Sequence, residues 1–361
     1  MMKSEEYKFN KKTQITDPLR VFFLCGTKFS KDQPDDKRNV LKSHLENKNF
    51  NYKVIILEEH FIFGSTTKEY LSYDEIFMKN LKDIELLTGL FSDKIIILHE
   101  SISTAAELGL FASNNSLLSK TCLLYPDTFS VEEDKVSSFI RLAFLNHRSP
   151  EENVKKITFY PKVKENIISN VKTEYHTFFP RNIIPKNLSS NIDSFILEDY
   201  SETFQVSFKK QKFKPYKDEN IISYSIQDTS VTLSPKVFRI LLTSLFSSKK
   251  FRHEIRSSSS IVETVNVIQK AFLNTIKNTI AHIEGIDLQK SKIEITIKDN
   301  NVKLRETIGY FLYTLQAIGM LQLPVREKNE KVTISSNFKE LYESHAKIIE
   351  AIPVSKFNDS L

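Results

Sequence analysis

Asp93-Lys-Ile-Ile-Ile-Leu-His-Glu-Ser-Ile-Ser-Thr-Ala-Ala-Glu-Leu-Gly-Leu-Phe-Ala-Ser-Asn-Asn115 is the stretch that decides how the first half of this chain folds. Ile95 to Leu98 form a short unbroken apolar run, the pattern of a parallel strand covered on both faces. The polar residues after it lead into a helix through Ser103 and Thr104, with Glu107 just inside. Open α/β sheets bind ligands at such strand ends, and a carboxylate held there can attack a sugar carbon.

Outward from this stretch the same alternation repeats. Arg20-Val-Phe-Phe-Leu-Cys-Gly26 reads as a first buried strand, with a helix beginning between Asp35 and Val40. Lys53 to Leu57 is a second strand, Leu71 to Phe91 is mostly helical, and Thr121 to Tyr125 is a fourth strand. Strands separated by helices imply a parallel sheet with right-handed crossovers, hence an α/β fold with a Rossmann-like sheet flanked by helices. Residues 1–18 read as a polar tail and 19–160 as this first domain, with a further short strand at Ile157 to Tyr160. Pro161, Pro180 and Pro185 among lysines and asparagines mark 161–190 as a linker.

Residues 191–361 read as a second, mostly helical domain. Helices are expected over Pro235 to Phe246, from the Ser260-Ile-Val-Glu263 capping box onward, and over Lys303 to Ala317, with a short strand at Ile293 to Ile297. Gly319 then caps a helix ahead of a charged hairpin, Leu321 to Val325 and Lys331 to Ser335, which is the pattern of a winged helix.

Composition narrows the classes. The 361 residues carry a net charge of only +6, so clusters of charge matter more than the total. Two such clusters interleave cations with rings, Phe208 to Lys217 and Lys249 to Arg256, and each reads either as a nucleic-acid contact or as a solvated face. Cys25 and Cys122 sit in apolar stretches without metal-ligand spacing, which fits buried thiols in a reducing compartment. No apolar run is long enough to span a membrane and the N-terminus has no signal-peptide core, so a soluble cytoplasmic protein is expected.

Glycosidic cleavage passes through an oxocarbenium-like state that a carboxylate can trap or stabilise. Glu107 suits that role, with Ser101, Ser103 and Thr104 as hydroxyl donors at the helix start for a phosphate or ribose. On spacing alone it suits another role equally. Thr104-Ala-Ala-Glu107 is also a capping-box sequence, in which Glu107 would only bond back to the backbone of Thr104.

Phe22 to Gly26, Leu57-Glu-Glu-His-Phe61, Ile84-Glu85 ahead of Ser92-Asp93, and Glu100-Ser-x-Ser-Thr-x-x-Glu-Leu-Gly-x-Phe-x-x-Asn-Asn115 together resemble the nucleoside 2-deoxyribosyltransferase-like domain. More closely they resemble its version in bacterial retron effectors, where a winged-helix domain follows. The motif covers residues 20 to 126. The resemblance implies that Glu107 attacks the anomeric carbon and that Glu85 binds the base or assists its departure. It places Cys25, Gly26 and Thr27 at the pocket floor, Glu58 and Ser101 near the ribose, and Asn114 at the end of the motif. The residue pattern Ser101-Ile-Ser103 departs from the transferases, which keep an acid there, and this shifts the implied substrate from deoxynucleosides to NAD. Nicotinamide leaves NAD as a neutral molecule and needs little acid help; no unambiguous acid is visible, His60 and His99 being the candidates.

The retron resemblance further implies a toxic N-glycosidase effector of anti-phage defence causing abortive infection, held inactive by a reverse transcriptase and its RNA–DNA product, the msDNA. NAD is then a substrate and no cofactor is implied; self-association into a homo-oligomer is compatible. Two other readings stand beside this one: a deoxyribosyltransferase or hydrolase of nucleosides or deoxynucleotides, and a non-catalytic nucleotide-sensing or DNA-binding regulator.

Overall fold

The computed structural model describes residues 6–26, 36–60, 80–99, 101–127, 157–161, 163–165, 174–176, 179, 182–323 and 332–352. They fall into two compact units, divided at Leu19/Arg20 and Tyr200/Ser201. The first, here the parallel-sheet unit, lies between residues 20 and 200; the second, the mixed-sheet unit, gathers the described residues before 20 and after 200.

In chain order the N-terminal elements are β1 (Glu6–Phe9), β2 (Lys12–Thr16), β3 (Arg20–Cys25), α1 (Lys37–Glu46), β4 (Tyr52–Ile55) and α2 (Leu57–His60). They are followed by α3 (Leu81–Phe91), β5 (Lys94–Leu98), α4 (Ile102–Ala112), α5 (Asn115–Leu118), β6 (Thr121–Asp127) and β7 (Ile157–Pro161). Then come the short antiparallel pair β8 (Val163–Glu165) and β9 (Glu174–His176), and α6 (Lys186–Leu197).

β4-β3-β5-β6-β7 form one sheet with every pairing parallel. All six residues of β3 and all five of β5 are buried, which is why both read as continuous rather than alternating apolar runs. β4 ends at Ile55, and Leu57 opens a one-turn helix instead of extending the strand. Residues 71–79, expected to be helical, lie outside the described residues, whereas α3 forms from Leu81 onward. Arg20 opens β3 as a buried cation. It donates from Nη1 to Tyr52 Oη at 3.2 Å and from Nη2 to the Ile196 carbonyl, and lies over the rings of Phe22, Tyr52 and Tyr200.

The linker reading changes at α6. Leu188, Ile192, Phe195 and Ile196 join Phe22, Val54, Ile96 and Leu124 in one apolar core, so α6 covers a face of the sheet. Its apolar positions recur at the spacing of a helix face, and the three prolines lie before it.

The mixed-sheet unit also departs from the sequence reading. Residues read as a polar tail form β1 and β2. β2 pairs antiparallel with β10 (Thr203–Lys210), and only Thr13 and Ile15 of it are buried, a weak alternation that needs a distant partner strand to be seen. The sheet continues through β11 (Ile221–Ser225), β12 (Ser230–Leu233) and β13 (Glu294–Ile297) in the order β13-β12-β11-β10-β2. This five-stranded sheet stands where a mostly helical domain was expected.

The helices here are α7 (Pro235–Leu245), α8 (Lys249–Ser257), α9 (Ile261–Glu284) and α10 (Leu304–Ala317). Ser260 caps α9 by accepting from the Glu263 backbone, while the Glu263 carboxylate bonds Ser259 and not Ser260. The expected hairpin is present as β14 (Leu321–Gln322) paired antiparallel with β15 (Thr333–Ile334); its charged turn lies outside the described residues. α11 (Lys339–Ala346) and β16 (Ile349–Ile352) complete the unit, β16 pairing with β1. Among the described residues no helix is long and apolar enough to cross a membrane.

Candidate active site

Helix α4 starts earlier than its sequence suggests, and that start decides the status of Glu107. Ser101, in extended conformation, is the N-cap, and Thr104 is its N3 partner. The Thr104 amide donates to Ser101 Oγ at 3.4 Å and the Ser101 amide to Thr104 Oγ1 at 3.1 Å. Because this pair closes the capping box, Glu107 is not needed for it. It lies a turn deeper in the helix, where its Oε2 is buried with no hydrogen-bond partner among the described residues. An unsatisfied buried carboxylate oxygen costs stability and calls for a compensating role, of which ligand binding is one.

The same cap reassigns neighbouring hydroxyls. Thr104 is fully buried and donates its hydroxyl to the Ser101 carbonyl at 2.7 Å, which leaves it a structural residue. Ser103 is exposed and Ser101 half-buried. Asn114 caps α5, its Oδ1 accepting from the Ser116 amide at 2.9 Å. Thr27 lies outside the described residues.

Four other groups gather around Glu107. Burial, then Glu85, then Glu58 push its carboxyl up to about 8, while Arg38 acts in the opposite direction. Burial and Glu58 push Glu85 up to about 7. The buried Cys25 thiol is held well above its ordinary value by burial and by the same three carboxylates, so it lines the site as a neutral group. These carboxylates sense one another without forming a group of metal ligands among the described residues.

Arg38 is the residue that sequence reasoning missed. It sits in the first turn of α1, only 2% exposed, and pairs through Nη1 with Glu58 Oε1 at 2.8 Å. Gly26 makes room for it: a Cβ there would stand 3.0 Å from Arg38 Cδ. A signal was present, since Arg38 shares a helix face with the buried Leu41 and Leu45, where a charge is out of place unless partnered.

Topology explains the convergence. The strand order runs second, first, third, fourth, fifth, so connections leave β3 and β5 in opposite lateral directions. Cys25 ends β3 with Gly26 directly after it, and the helix bearing Glu107 follows β5, which pairs with β3. The carboxylates therefore line the crevice where open parallel sheets bind ligands. Beside it the His99 and Tyr125 rings stack at 5.2 Å, and burial lowers the His99 pKa, which leaves its imidazole neutral and unsuited as the acid. His60 lies beside Glu59, 3.5 Å from Nε2 to carboxylate.

Fold and site define a class: a parallel α/β unit with a partly buried acidic cluster at its switch point, joined to a second α/β unit. The chain belongs to the family of the STM3845 retron effector protein, whose family model matches residues 34–323. A protein of Escherichia coli named as a retron Ec73 ribosyltransferase/DNA-binding protein is 30% identical over 132 residues, 36% of this chain and 40% of that relative. The chain thus spans about two fifths of the length of the curated relative it matches.

Proposed function

We propose that this retron effector is a nucleotide N-glycosidase that cleaves the nicotinamide–ribose bond of NAD, with Glu107 as nucleophile. The observation that carries the reading is the buried Oε2 of Glu107, without a partner among the described residues, amid Glu85 and Glu58, with Arg38 as the opposing cation. Such an acidic site favours a cation, both the pyridinium of NAD and the oxocarbenium-like state it gives rise to. Glu107 first gives its proton to solvent, an ionisation that the cationic pyridinium favours; the carboxylate then attacks C1′ of the ribose as the C–N bond breaks, and the bonding pair goes to the pyridinium nitrogen, so nicotinamide leaves neutral. Water then hydrolyses the glycosyl ester, giving ADP-ribose and a proton and restoring Glu107.

The word ribosyltransferase in the name of the Escherichia coli relative supports chemistry at a ribosyl carbon. In the same reading the effector serves anti-phage defence and is held inactive by the reverse transcriptase and msDNA of its retron. The parallel-sheet unit is then a Rossmann-like catalytic domain resembling the deoxyribosyltransferases, and the hairpin β14–β15 the wing of a regulatory winged helix.

One observation favours a second reading, transfer or hydrolysis on deoxynucleosides. Glu85, with its pKa near 7, is partly protonated at neutral pH and can give a proton to a neutral base, in keeping with the departure-assisting role that the resemblance implies. Incubating the purified chain, freed of partners, with NAD and separately with deoxynucleosides distinguishes the two. Free nicotinamide from NAD is the expected product. Free base from deoxynucleosides with NAD untouched would select the second reading, and no product from either would leave a non-catalytic regulator.

A further inference from the structure

The two basic, ring-bearing clusters part company in the structure. In Lys249 to Arg256, Phe251 is buried edge-on against Phe246, and Arg252 is spent on the carbonyls of Phe246 and Ser247. Phe208 of the other cluster is core as well. What remains is the loop after β10, Gln211-Lys-Phe-Lys-Pro-Tyr-Lys217, whose Phe213 is 96% exposed.

This loop is tied down at both ends. The Gln211 amide donates to the Tyr224 carbonyl at 2.9 Å, and the Tyr216 amide to Ser223 Oγ at 2.8 Å. Lys298 Nζ reaches the carbonyls of Tyr216, Lys217 and Asp218 at 2.9, 3.2 and 3.3 Å, clamping the far side. Lys209 lies over the Tyr216 ring at 5.5 Å. A lone exposed phenylalanine is ordinary. This one sits in a fastened loop between two exposed lysines, in a run from 203 to 217 that holds five lysines and no acid. Only Lys210 of the five is paired with a described carboxylate, at 3.1 Å from Glu284.

We infer that the 211–217 loop is a contact for single-stranded nucleic acid, with Phe213 stacking on a base and Lys212, Lys214 and Lys217 on phosphates. A fastened, protruding ring among cations suits a strand whose bases are open to stacking and whose backbone is anionic. A protein partner would instead have to bring an apolar pocket rimmed with acids. The inference deepens the reading that this effector meets its retron's nucleic acid, and rests on it for the partner, while being independent of Glu107.

Fluorescence anisotropy of the full chain with labelled single-stranded DNA, single-stranded RNA and duplex tests it. The wild-type chain is expected to bind single strands more tightly than duplex. Phe213→Ala should weaken that binding by roughly 5- to 100-fold, and Phe213→Tyr should restore it. Lys212→Glu with Lys214→Glu should weaken it and flatten its salt dependence, since each lost phosphate contact removes about 0.7 from the logarithmic slope. Unchanged binding by Phe213→Ala would overturn the inference while leaving nucleic-acid regulation standing. Absence of binding to any strand by the wild-type chain would overturn both. Loss of reverse transcriptase association in Phe213→Ala with strand binding intact would assign the loop to protein and overturn the inference too.

Discussion

At the scale of single residues, Glu107 is held in a state it does not prefer. Its carboxyl titrates near 8 in the folded chain against an ordinary 4.5, so the folded state grips the proton more tightly than the unfolded one. The stability this gives is present in full below pH 4.5 and is lost as pH rises through 8. Glu107→Gln should abolish that loss, raising the melting temperature at pH 8 to 9 by several degrees, on the order of a few kcal/mol, with little effect at pH 4. Arg38 tempers the same charge, and removing it has the opposite sign. Arg38→Met should push Glu107 still higher, moving the rising limb of kcat/KM against pH toward alkali, with Arg38→Lys partly restoring it. Gly26→Ala, whose Cβ meets Arg38 Cδ, should move the limb in the same direction by less.

At the scale of elements, the α4 cap frees Glu107 from a capping role. Thr104→Ala removes the hydroxyl that accepts from the Ser101 amide and donates to the Ser101 carbonyl, and should cost about 1–2 kcal/mol in chemical denaturation. Thr104→Ser should cost less, and activity should follow the cap more than the methyl. The strand, the turn and Glu107 were legible in the sequence because a wholly buried parallel strand writes an unbroken apolar run. The helix start was not, because Ser101-Ile-Ser-Thr104 offers three hydroxyl caps in four residues and only the backbone of Ser101 chooses among them. Glu85 entered only through the resemblance, since its spacing fits a solvated helix carboxylate equally; for Arg38 the helix face carried a signal, but its partner, Glu58, is twenty residues away on another element.

At the scale of the whole molecule, the chain's ends were the least legible part. β1 and β2 find their partners in the distant β16 and β10, and nothing within reach of a local pattern records such pairings. The linker, too, was misread where α6 begins, because a helix whose apolar face completes a distant sheet looks like any amphipathic segment. What results is a parallel-sheet unit that gathers the acidic cluster and a mixed-sheet unit that presents the Phe213 loop, the proposed chemistry falling in one and the inferred recognition in the other. The central claim, that Glu107 is the nucleophile, is tested most directly by nicotinamide release from NAD, comparing the wild-type chain with Glu107→Gln, each shown folded by its melting transition. The account predicts release by the wild type and a loss on the order of 10³-fold or more in the variant. A folded Glu107→Gln chain that releases nicotinamide at the wild-type rate would contradict it.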